Sequence, residues 1–438
     1  MKLDAYNLST STVSAQAETA FEEAVHGLAA HRPNTGTALQ AALSADPNHI
    51  AALALKGFAN LILARSELAP HAAEALAAAR RAMACRDGGT RDEQVLVHAL
   101  DAAVDGSFAT AARRLDEGFA ERPATFLPFK ISHALRFMLG DAKEMLAMSS
   151  RVMEDWNETL PAAGFLLGCH AFALEEHGFY DAAEAAGQHA VQLQPDDAWG
   201  LHAVSHVYEM RGKTADGIAW LEDGRKSWSR CNNFSFHMAW HLALLHLERG
   251  DHAHVLKIYD EEVRPQQTDD FRDMANAISL LWRLNQTGVD VGSRWGDMAE
   301  IALRRRHDTT LVFASLHTLA ALVAIGEHSA VRDVVSGLER KATGSGDQAK
   351  VAAEVGVPLA RIIAGLSTAA DRRVLDRIVV DLPTIGGSNA QRDFFMLAVA
   401  KAAGTNGDSA GLSRIRDVRR RLRAEDRLLG TIEMRAVL

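Results

Sequence analysis

The amino-acid sequence predicts an all-α fold in which helix pairs stack into one elongated solenoid. Strand-like patterns are nearly absent, whereas alanine-rich stretches with a 3.6-residue period run from end to end of the 438 residues. Glycines recur at a steady interval between these stretches, which indicates a repeated helix–turn–helix unit. We therefore expect a single domain over residues 1–438, because a solenoid grows by adding one unit to the next.

The spacing of the inter-helix glycines sets the length of the repeat. The markers are Gly106, Gly140, Gly178, Gly212, Gly250, Gly288 and Gly326, at intervals of 34, 38, 34, 38, 38 and 38 residues. Weaker markers at Gly365 and Gly404 each follow after a further 39 residues. Extended back to the N-terminus, this interval predicts about eleven helix pairs forming a right-handed superhelix. A plain helical bundle with chance glycines would not show such regularity.

One segment, HGFYDAAEAAGQHAVQLQPDD from His177, shows the repeat unit most completely. Gly178 suits the turn between two helices, and Ala183 and Ala190 allow the helices to approach closely. Pro195 then ends the second helix. The arrangement resembles the turn and second helix of a tetratricopeptide repeat, a unit of about 34 residues.

Charge and cysteine usage exclude several classes of protein. The net charge of −9 disfavours a general nucleic-acid binder, whose electrostatic mark is an excess of basic residues. The basic run RIRDVRRRLRAEDR from Arg414 suits a solvated terminal helix instead, with an apolar face directed inward. That inward face would consist of Ile415, Val418, Leu422 and Leu428.

The cellular location is expected to be cytoplasmic. The three cysteines are widely spaced, so neither a disulfide framework nor a CxxC metal motif is available. The N-terminus has neither the basic nor the apolar region of a signal peptide. No stretch reaches the roughly eighteen apolar residues of a membrane helix, so we expect no membrane partner.

Several longer motifs run along the chain, from LSTST at Leu8 and TRDEQ at Thr90 to HMAWHLAL at His237 and GGSNAQRD at Gly386, and together they resemble those of the tetratricopeptide repeat protein 38 family. This resemblance implies a closed-up array of atypical repeats in a soluble protein, and it supplies no reaction and no catalytic residue set. The motifs cover essentially the whole chain. They are LSTST from Leu8, TRDEQ from Thr90, FYDAAE from Phe179, DAWGLHAVSHVYEM from Asp197, HMAWHLAL from His237, GVDVGSRW from Gly288 and GGSNAQRD from Gly386.

The repeat register predicts which side chains face the concave groove. With the turn glycine at position 15, repeat positions 2, 5, 9 and 12 line the groove in proteins of this kind. In the repeat that starts at Ala198 these positions hold Trp199, His202, His206 and Glu209. The same positions in the neighbouring repeats hold Phe165, Gly168, Phe172 and Glu175; His237, Trp240, Leu244 and Leu247; Ala275, Ile278, Trp282 and Asn285; and Phe313, Leu316, Ala320 and Val323.

This composition favours a small apolar or aromatic ligand, because ligand pockets are mostly apolar with a few convergent polar groups. A groove for acidic peptides would need rows of basic and amide residues, and only Lys130 and Asn285 occur in it. His206 and Glu209 are the candidates for acid–base chemistry, although no nucleophile is evident and an enzymatic role stays open. The predicted ligand-binding residues are Phe172, Glu175, Trp199, His202, His206, Glu209, His237 and Trp240.

Three alternatives stay open for the histidines: a bound transition-metal ion, a metal-free His/Glu cluster that binds a ligand or performs acid–base chemistry, and a solvated helix face without a site. A transition-metal ion, and with it a metal-dependent enzyme, would use the i, i+4 pairs formed by His202 and His206 and by His237 and His241. Glu209 lies roughly 10.5 Å along the helix from His202, too far for the two to share one ion comfortably. In the third alternative, His202, His206 and Glu209 lie on a solvated helix face and form no site. A scaffold that binds a protein in the groove, without catalysis, is the alternative function.

Two further motifs have structural interpretations that we favour. GGSNAQRD presents backbone N–H groups that could bind an anion near Arg392, but it more often forms a helix N-cap after a tight turn. Asp273 and Arg283 leave the groove stripe, so an ion pair or inter-helix contact is expected of them. The identity of the ligand, the reaction, the oligomeric state and any partner cannot be derived from the sequence.

Overall fold

The computed structural model describes residues 3–366, 372–423 and 427–437, and these residues are predominantly α-helical. An isolated antiparallel bridge joins Leu3 and Ser9, and the described residues contain no β-strand. The predicted all-α class is therefore confirmed. In the part of the chain that the structure describes, no helix is long and apolar enough to cross a membrane.

The helices follow one another with short connections. The α-helices are α1 (Ala15–Ala29), α2 (Thr35–Ala45), α3 (Ile50–Ile62), α4 (Ala69–Cys85), α5 (Arg91–Val104), α6 (Phe108–Glu121), α7 (Phe126–Leu139), α8 (Ala142–Met153), α9 (Ala163–Glu176), α10 (Tyr180–Leu193), α11 (Ala198–Met210), α12 (Thr214–Asp223), α13 (Arg225–Trp228), α14 (Phe234–Arg249), α15 (His252–Ile258), α16 (Phe271–Thr287), α17 (Arg294–Arg305), α18 (Val312–Ala324), α19 (His328–Ala342), α20 (Asp347–Val351), α21 (Val357–Ile363), α22 (Arg372–Asp381), α23 (Asn389–Thr405), α24 (Ser409–Leu422) and α25 (Arg427–Val437). Short 3₁₀ turns cover Ser66–Leu68 and Leu382–Ile385, and π-helical turns cover Tyr259–Val263 and Ala352–Gly356.

Backbone contacts group the chain into two compact units. Unit 1 comprises Met1–Val204 and Gly224–Phe234, and unit 2 comprises Ser205–Asp223 and Ser235–Leu438. The border between the two units passes through α11. A single domain over the whole chain stays a prediction, and the two units are described separately below.

The marker glycines form the turns that the sequence predicts. Their backbone lies in the left-handed region, with φ between 63° and 86°, where a glycine carries no Cβ penalty. The residue after each glycine donates its N–H to the carbonyl five residues earlier, as Phe179 does to Leu174 at 3.0 Å. These turns end the first helix of each pair. They are centred on Gly106, Gly140, Gly178, Gly212, Gly250, Gly288, Gly326, Gly365 and Gly407.

The last marker corrects the prediction. Gly404 lies inside α23, and the left-handed turn falls on Gly407, 42 residues after Gly365. The helix continues three residues further than the repeat interval implies, because only the residue that follows the helix end must adopt a positive φ.

Close helix approach explains the small residues of the repeat. Ala183 and Ala190 of α10 are fully buried, as their positions in the repeat predict. A Cβ on Gly187, between them, would lie 2.5 Å from a methyl group of Val204 in α11. No side chain fits there without moving the helices apart, so α10 and α11 of unit 1 pack almost backbone to backbone.

Candidate functional site

The predicted site residues are buried. Phe172, Glu175, His206 and Trp240 have no exposed surface, and His237 is partly buried. Trp199, His202, Glu209 and His241 are between 1% and 9% exposed. The alternative of a solvated helix face is therefore wrong, because neighbouring side chains cover this polar stripe. Of these residues, Phe172, Glu175, Trp199 and His202 belong to unit 1, and His206, Glu209, His237, Trp240 and His241 belong to unit 2.

In unit 1, the predicted site residues form an aromatic cluster. The rings of Phe172 and Trp199 lie 4.9 Å apart between centroids, and His202 lies 5.6 Å from Phe172, stacked on it. Phe234 packs against Trp199 at 5.6 Å. The Lys130 ammonium lies 5.2 Å from the Trp199 ring, a cation–π distance. Packing between aromatic rings therefore fixes the positions of Trp199 and His202.

Asp197 fixes the start of α11. Its carboxylate accepts the backbone N–H groups of Trp199 at 3.2 Å and Gly200 at 3.1 Å, so it caps the helix. Gly168 is needed beside it, since a Cβ there would lie 2.1 Å from the Asp197 carboxylate. Burial raises the pKa of Asp197 to about 7, against the opposing effect of Lys130.

In unit 2, a buried chain of close polar contacts links a carboxylate to two imidazoles. Glu209 Oε2 lies 3.1 Å from His241 Nδ1, and His241 Nε2 lies 3.2 Å from His237 Nε2. His237 Nδ1 in turn lies 3.0 Å from Asn276 Oδ1. His206 lies beside this chain, with its ring centroid 4.4 Å from that of His241. The sequence-predicted residues His206, Glu209, His237 and His241 therefore come together.

Trp240 packs against His237, one of the two linked imidazoles. Its indole stacks on His237 with ring centroids 5.3 Å apart and 19° between the planes. Its Nε1–H donates to Ser279 Oγ at 3.1 Å, which satisfies the buried indole and fixes its orientation. Trp240 thus positions His237.

The imidazoles of this chain are poised to be neutral. Burial lowers the pKa of His237 to about 4, with the Asn276 hydrogen bond opposing the shift. Burial also lowers the pKa values of His206 and His241 well below the usual range, with neighbouring histidines acting in the same direction. Neutral imidazoles keep a ring-nitrogen lone pair, so these residues can accept a proton or ligate a metal ion.

A buried charge network holds Glu209, the carboxylate that contacts His241. Arg423 donates to the second oxygen of Glu209 at 3.1 Å and approaches Asp393 at 3.6 Å. Arg283 lies 3.5 Å from Asp393, and Arg419 is also bonded to it. Burial alone would raise the pKa of Asp393, but Arg419, Arg423 and Arg283 hold it below its usual value. The ion-pair interpretation of Arg283 agrees with this arrangement.

The network corrects the interpretation of the basic C-terminal run. Arg419 and Arg423 were expected on a solvated helix, yet they are only 1% and 6% exposed. Their partners Asp393 and Glu209 lie far away in the sequence, so nothing local signals the burial. Ile415 and Leu428 are buried as expected and Val418 is partly buried, whereas the side chain of Leu422 lies outside the described residues.

The GGSNAQRD turn has the helix-capping role that we favoured. Ser388 accepts from the Gln391 backbone N–H at 3.3 Å, and the Gln391 side chain accepts from the Ser388 N–H at 3.1 Å. This reciprocal capping box starts α23. Arg392 folds back onto the turn, where it donates to the Gly387 carbonyl and to Asn389.

A second feature of unit 2 is a cleft of about 920 Å³. Trp282 and Phe394 meet in it edge to face, 5.3 Å apart, and Lys401 Nζ lies 6.0 Å from the Trp282 ring. The other lining residues are Asn285, Gln286, Ala320, Val323, Ala324, Ile362, Ile363, Gly365, Ala398, Ala402, Thr405, Asn406 and Ile432.

The cleft contains groove positions from two successive repeats. Trp282 and Asn285 occupy positions 9 and 12 of one repeat, and Ala320 and Val323 occupy the same positions of the next. The register therefore correctly brought these four residues to one surface. Sequence reasoning missed the contributions of α23 and α25, because no local signal shows that these helices cover the cleft.

Comparisons with known proteins find solved structures that are similar to this chain only at low sequence identity. No protein-family profile matches the chain. Yeast Tom70 is similar over 97% of this chain and 88% of its own, at 11% identity and a TM-score of 0.38. A structure of Naa15/Naa10 bound to HypK-THB is similar over 96% and 66%, at 14% identity and a TM-score of 0.27. The TPR domain of P58(IPK) is similar over 78% and 96%, at 10% identity and a TM-score of 0.22.

At such low TM-scores we draw no functional argument from these likenesses. The helix pairs and glycine turns nevertheless make this chain a tetratricopeptide-like helical-repeat protein. The finer resemblance to the tetratricopeptide repeat protein 38 family stays a prediction.

Proposed function

We propose that this chain is a binding protein whose unit 2 cleft takes an aromatic or aliphatic ligand that carries one carboxylate. One observation carries the proposal: groove positions of two successive repeats line a single cleft that combines aromatic and aliphatic side chains with polar ones. The cleft volume of about 920 Å³ lies within the range of small-molecule sites, roughly 300–1,000 Å³.

The lining supports both parts of the ligand. Trp282, Phe394 and Ile432 offer aromatic and aliphatic surface for an apolar body. Among the lining residues that the structure describes, Lys401 is the cation, and no lining residue is acidic. A carboxylate placed near Lys401 would therefore meet an opposite charge.

The rim adds hydrogen-bonding groups. Asn285, Gln286, Thr405 and Asn406 contribute amide and hydroxyl groups to the lining of the cleft. A few polar groups around an apolar cavity orient a small molecule. Thr405 and Asn406 already donate to the backbone carbonyls of Lys401 and Ala402, each at 2.9 Å, so Asn285 and Gln286 are the groups that favour a ligand with one polar end.

Affinity measurements on matched acids and amides test the proposal. Isothermal titration is made with indole-3-acetate, naphthalene-1-acetate and decanoate, and with the primary amide of each acid. We expect Lys401→Ala to weaken the best acid by up to about fivefold, because Lys401 is exposed and an exposed ion pair contributes about 0.2–1 kcal/mol. The amide should lose little. The exposed Lys350 of α20 provides the control, and Lys350→Ala should change neither affinity.

Two results would contradict the proposal. One is that no acid binds with a Kd below about 1 mM, in which case a protein partner becomes the better account of the groove. The other is an equal loss for acid and amide in Lys401→Ala. Loss of acid binding in Trp282→Ala, with the helical content unchanged, would support contact between the apolar body of the ligand and Trp282.

The assignment of acid–base chemistry to His206 and Glu209 stays a prediction. Ligand binding by Phe172, Glu175, Trp199 and His202 also stays a prediction. The cleft proposal depends on neither of them.

A further inference from the structure

We propose that His206, His237 and His241 of unit 2 together bind one divalent transition-metal ion, with Zn²⁺ the best fit. The site is separate from the cleft and does not depend on a ligand there. Nitrogen donors from imidazole suit zinc, copper, nickel and cobalt rather than calcium or magnesium. His202, another candidate ligand from the sequence, belongs to unit 1 and takes no part in the proposal.

The distance between two ring nitrogens fits the bite of a tetrahedral ion. His237 Nε2 and His241 Nε2 lie 3.2 Å apart. Two zinc–nitrogen bonds of 2.0–2.1 Å at a tetrahedral angle place their nitrogens about 3.3 Å apart. His241 follows His237 at position i+4 of α14, the spacing at which one helix face presents two imidazoles to one ion.

The contacts made by the Nδ1 atoms of His241 and His237 also favour a metal ion between their Nε2 atoms. A carboxylate only accepts, so His241 Nδ1 carries the proton that it donates to Glu209 at 3.1 Å. Its Nε2 then presents a lone pair. His237 Nδ1 faces the oxygen of Asn276 at 3.0 Å, which gives His237 the same tautomer. Two lone pairs then face each other at 3.2 Å, and a cation between them relieves the repulsion.

Residues around the ligands complete the arrangement. A histidine that ligates zinc usually donates its other ring N–H to a carboxylate or another oxygen acceptor, as His241 does to Glu209. Arg423 holds Glu209 from the far side at 3.1 Å. Glu209 is therefore a positioning residue that keeps His241 in the ligating tautomer.

His206 supplies the third nitrogen. One ligand atom from each of His206, His237 and His241 lies within 4.8 Å of the others. Small side-chain rotations bring such a set to the spacing of a bound ion. Three protein ligands leave the fourth tetrahedral position for water or another small ligand, as at zinc sites that perform chemistry.

A competing arrangement needs no metal. If the Asn276 amide is reversed, its NH₂ group donates to His237 Nδ1, and His237 Nε2–H donates to His241 Nε2. Amide orientation follows from the surrounding hydrogen bonds, so both networks satisfy the same heavy-atom positions. This metal-free network predicts no stoichiometric metal binding, and a titration separates it from the proposal.

Metal titration of the full chain, purified without a histidine tag and stripped with EDTA, tests the site. We expect one equivalent of Co²⁺ to bind with the visible absorption of a four-coordinate nitrogen site, and one equivalent of Zn²⁺ to displace it. His237→Gln should weaken Co²⁺ binding at least a hundredfold, since a ligand is lost. Asn276→Leu should weaken it 10- to 100-fold, as expected when the partner of a ligating histidine is removed. The exposed His328 is the control, and His328→Gln should bind Co²⁺ like the unaltered protein.

Metal binding by the unaltered protein tests the proposal even if a variant does not fold. Less than a tenth of an equivalent of bound Co²⁺ or Zn²⁺ would overturn it and support the metal-free network. Equal Co²⁺ affinity in His237→Gln and in the unaltered protein would overturn it as well. Acid binding in the cleft should survive EDTA treatment, so the failure of one proposal can be told from the failure of the other.

Discussion

His317 provides a quantitative test of the packing of unit 2. Its imidazole is enclosed by Phe313, Phe394 and Phe395, with ring centroids 4.5, 5.2 and 4.8 Å away. Its Nδ1–H donates to the Phe313 carbonyl at 2.9 Å, and only 2% of the residue is exposed. Burial lowers the pKa of His317 to about 3. The Phe313 hydrogen bond opposes this shift, and the Arg283 charge reinforces it.

The sign of the pH effect follows from these values. The unfolded chain, with a histidine pKa of 6.5, takes up a proton before the folded chain does. His317 therefore contributes stability that is complete at neutral pH and is lost as the pH falls from 6.5 towards 3. Between about pH 7 and about pH 5, proton linkage makes this loss about 2 kcal/mol for this one residue.

Replacing His317 with phenylalanine should remove that loss. Hydrogen exchange of the peptides covering α18 and α23, corrected for the intrinsic exchange rate, gives the free energy of the opening that exposes residue 317. In the unaltered protein this free energy should fall about 2 kcal/mol more between about pH 7 and about pH 5 than in His317→Phe. The other buried histidines are common to both proteins and cancel. Any packing difference appears equally at both pH values, so equal losses in the two proteins would refute the buried, neutral state of His317.

Two further predictions concern the charge network and the turns. Asp393→Ala should reduce the free energy of unfolding by about 3–5 kcal/mol, because it leaves buried arginines without their carboxylate. As a control, replacing the exposed Asp417 with alanine should change the free energy of unfolding by less than about 0.5 kcal/mol. Urea unfolding followed by circular dichroism checks this pair, and similar small changes in both would show that the network is solvated. Gly288→Ala should destabilise by about 1–2 kcal/mol because φ at Gly288 is 86°, whereas Gly296→Ala, within α17 and facing open space, should stabilise by up to about 1 kcal/mol. Thermal unfolding measures both, and a stabilised Gly288→Ala would contradict the turn geometry.

The sequence was sufficient where the signal is local. A residue with positive φ after a helix end is usually glycine, so the marker glycines located the turns from Gly106 to Gly365. After α1, α3 and α4 the first residue with positive φ is His31, Ala64 and Asp87, respectively, and no marker glycine identifies those helix ends. Gly404 and Gly407 are only three residues apart; the repeat interval selected Gly404, whereas the turn lies at Gly407. The register likewise identified Trp282 and Val323 as groove residues because position within a repeat sets the face of the helix.

The sequence was insufficient where partners are distant along the chain. Arg423 contacts Glu209 across 214 residues, and nothing near either residue indicates the pairing. The polar stripe of α11 has the same pattern whether it faces water or a buried network. Its burial depends on residues of other helices, such as His241, whose positions require the complete fold.

Photo-crosslinking tests the central claim most directly. A diazirine derivative of the tightest-binding aromatic acid is irradiated with the full chain, and the labelled peptides are identified by mass spectrometry. We predict labels in α16 and α23, around Trp282 and Lys401, that disappear when the unmodified acid is added in excess. Competable labels confined to other helices, with α16 and α23 unmodified, would contradict the assignment of the cleft as the binding site.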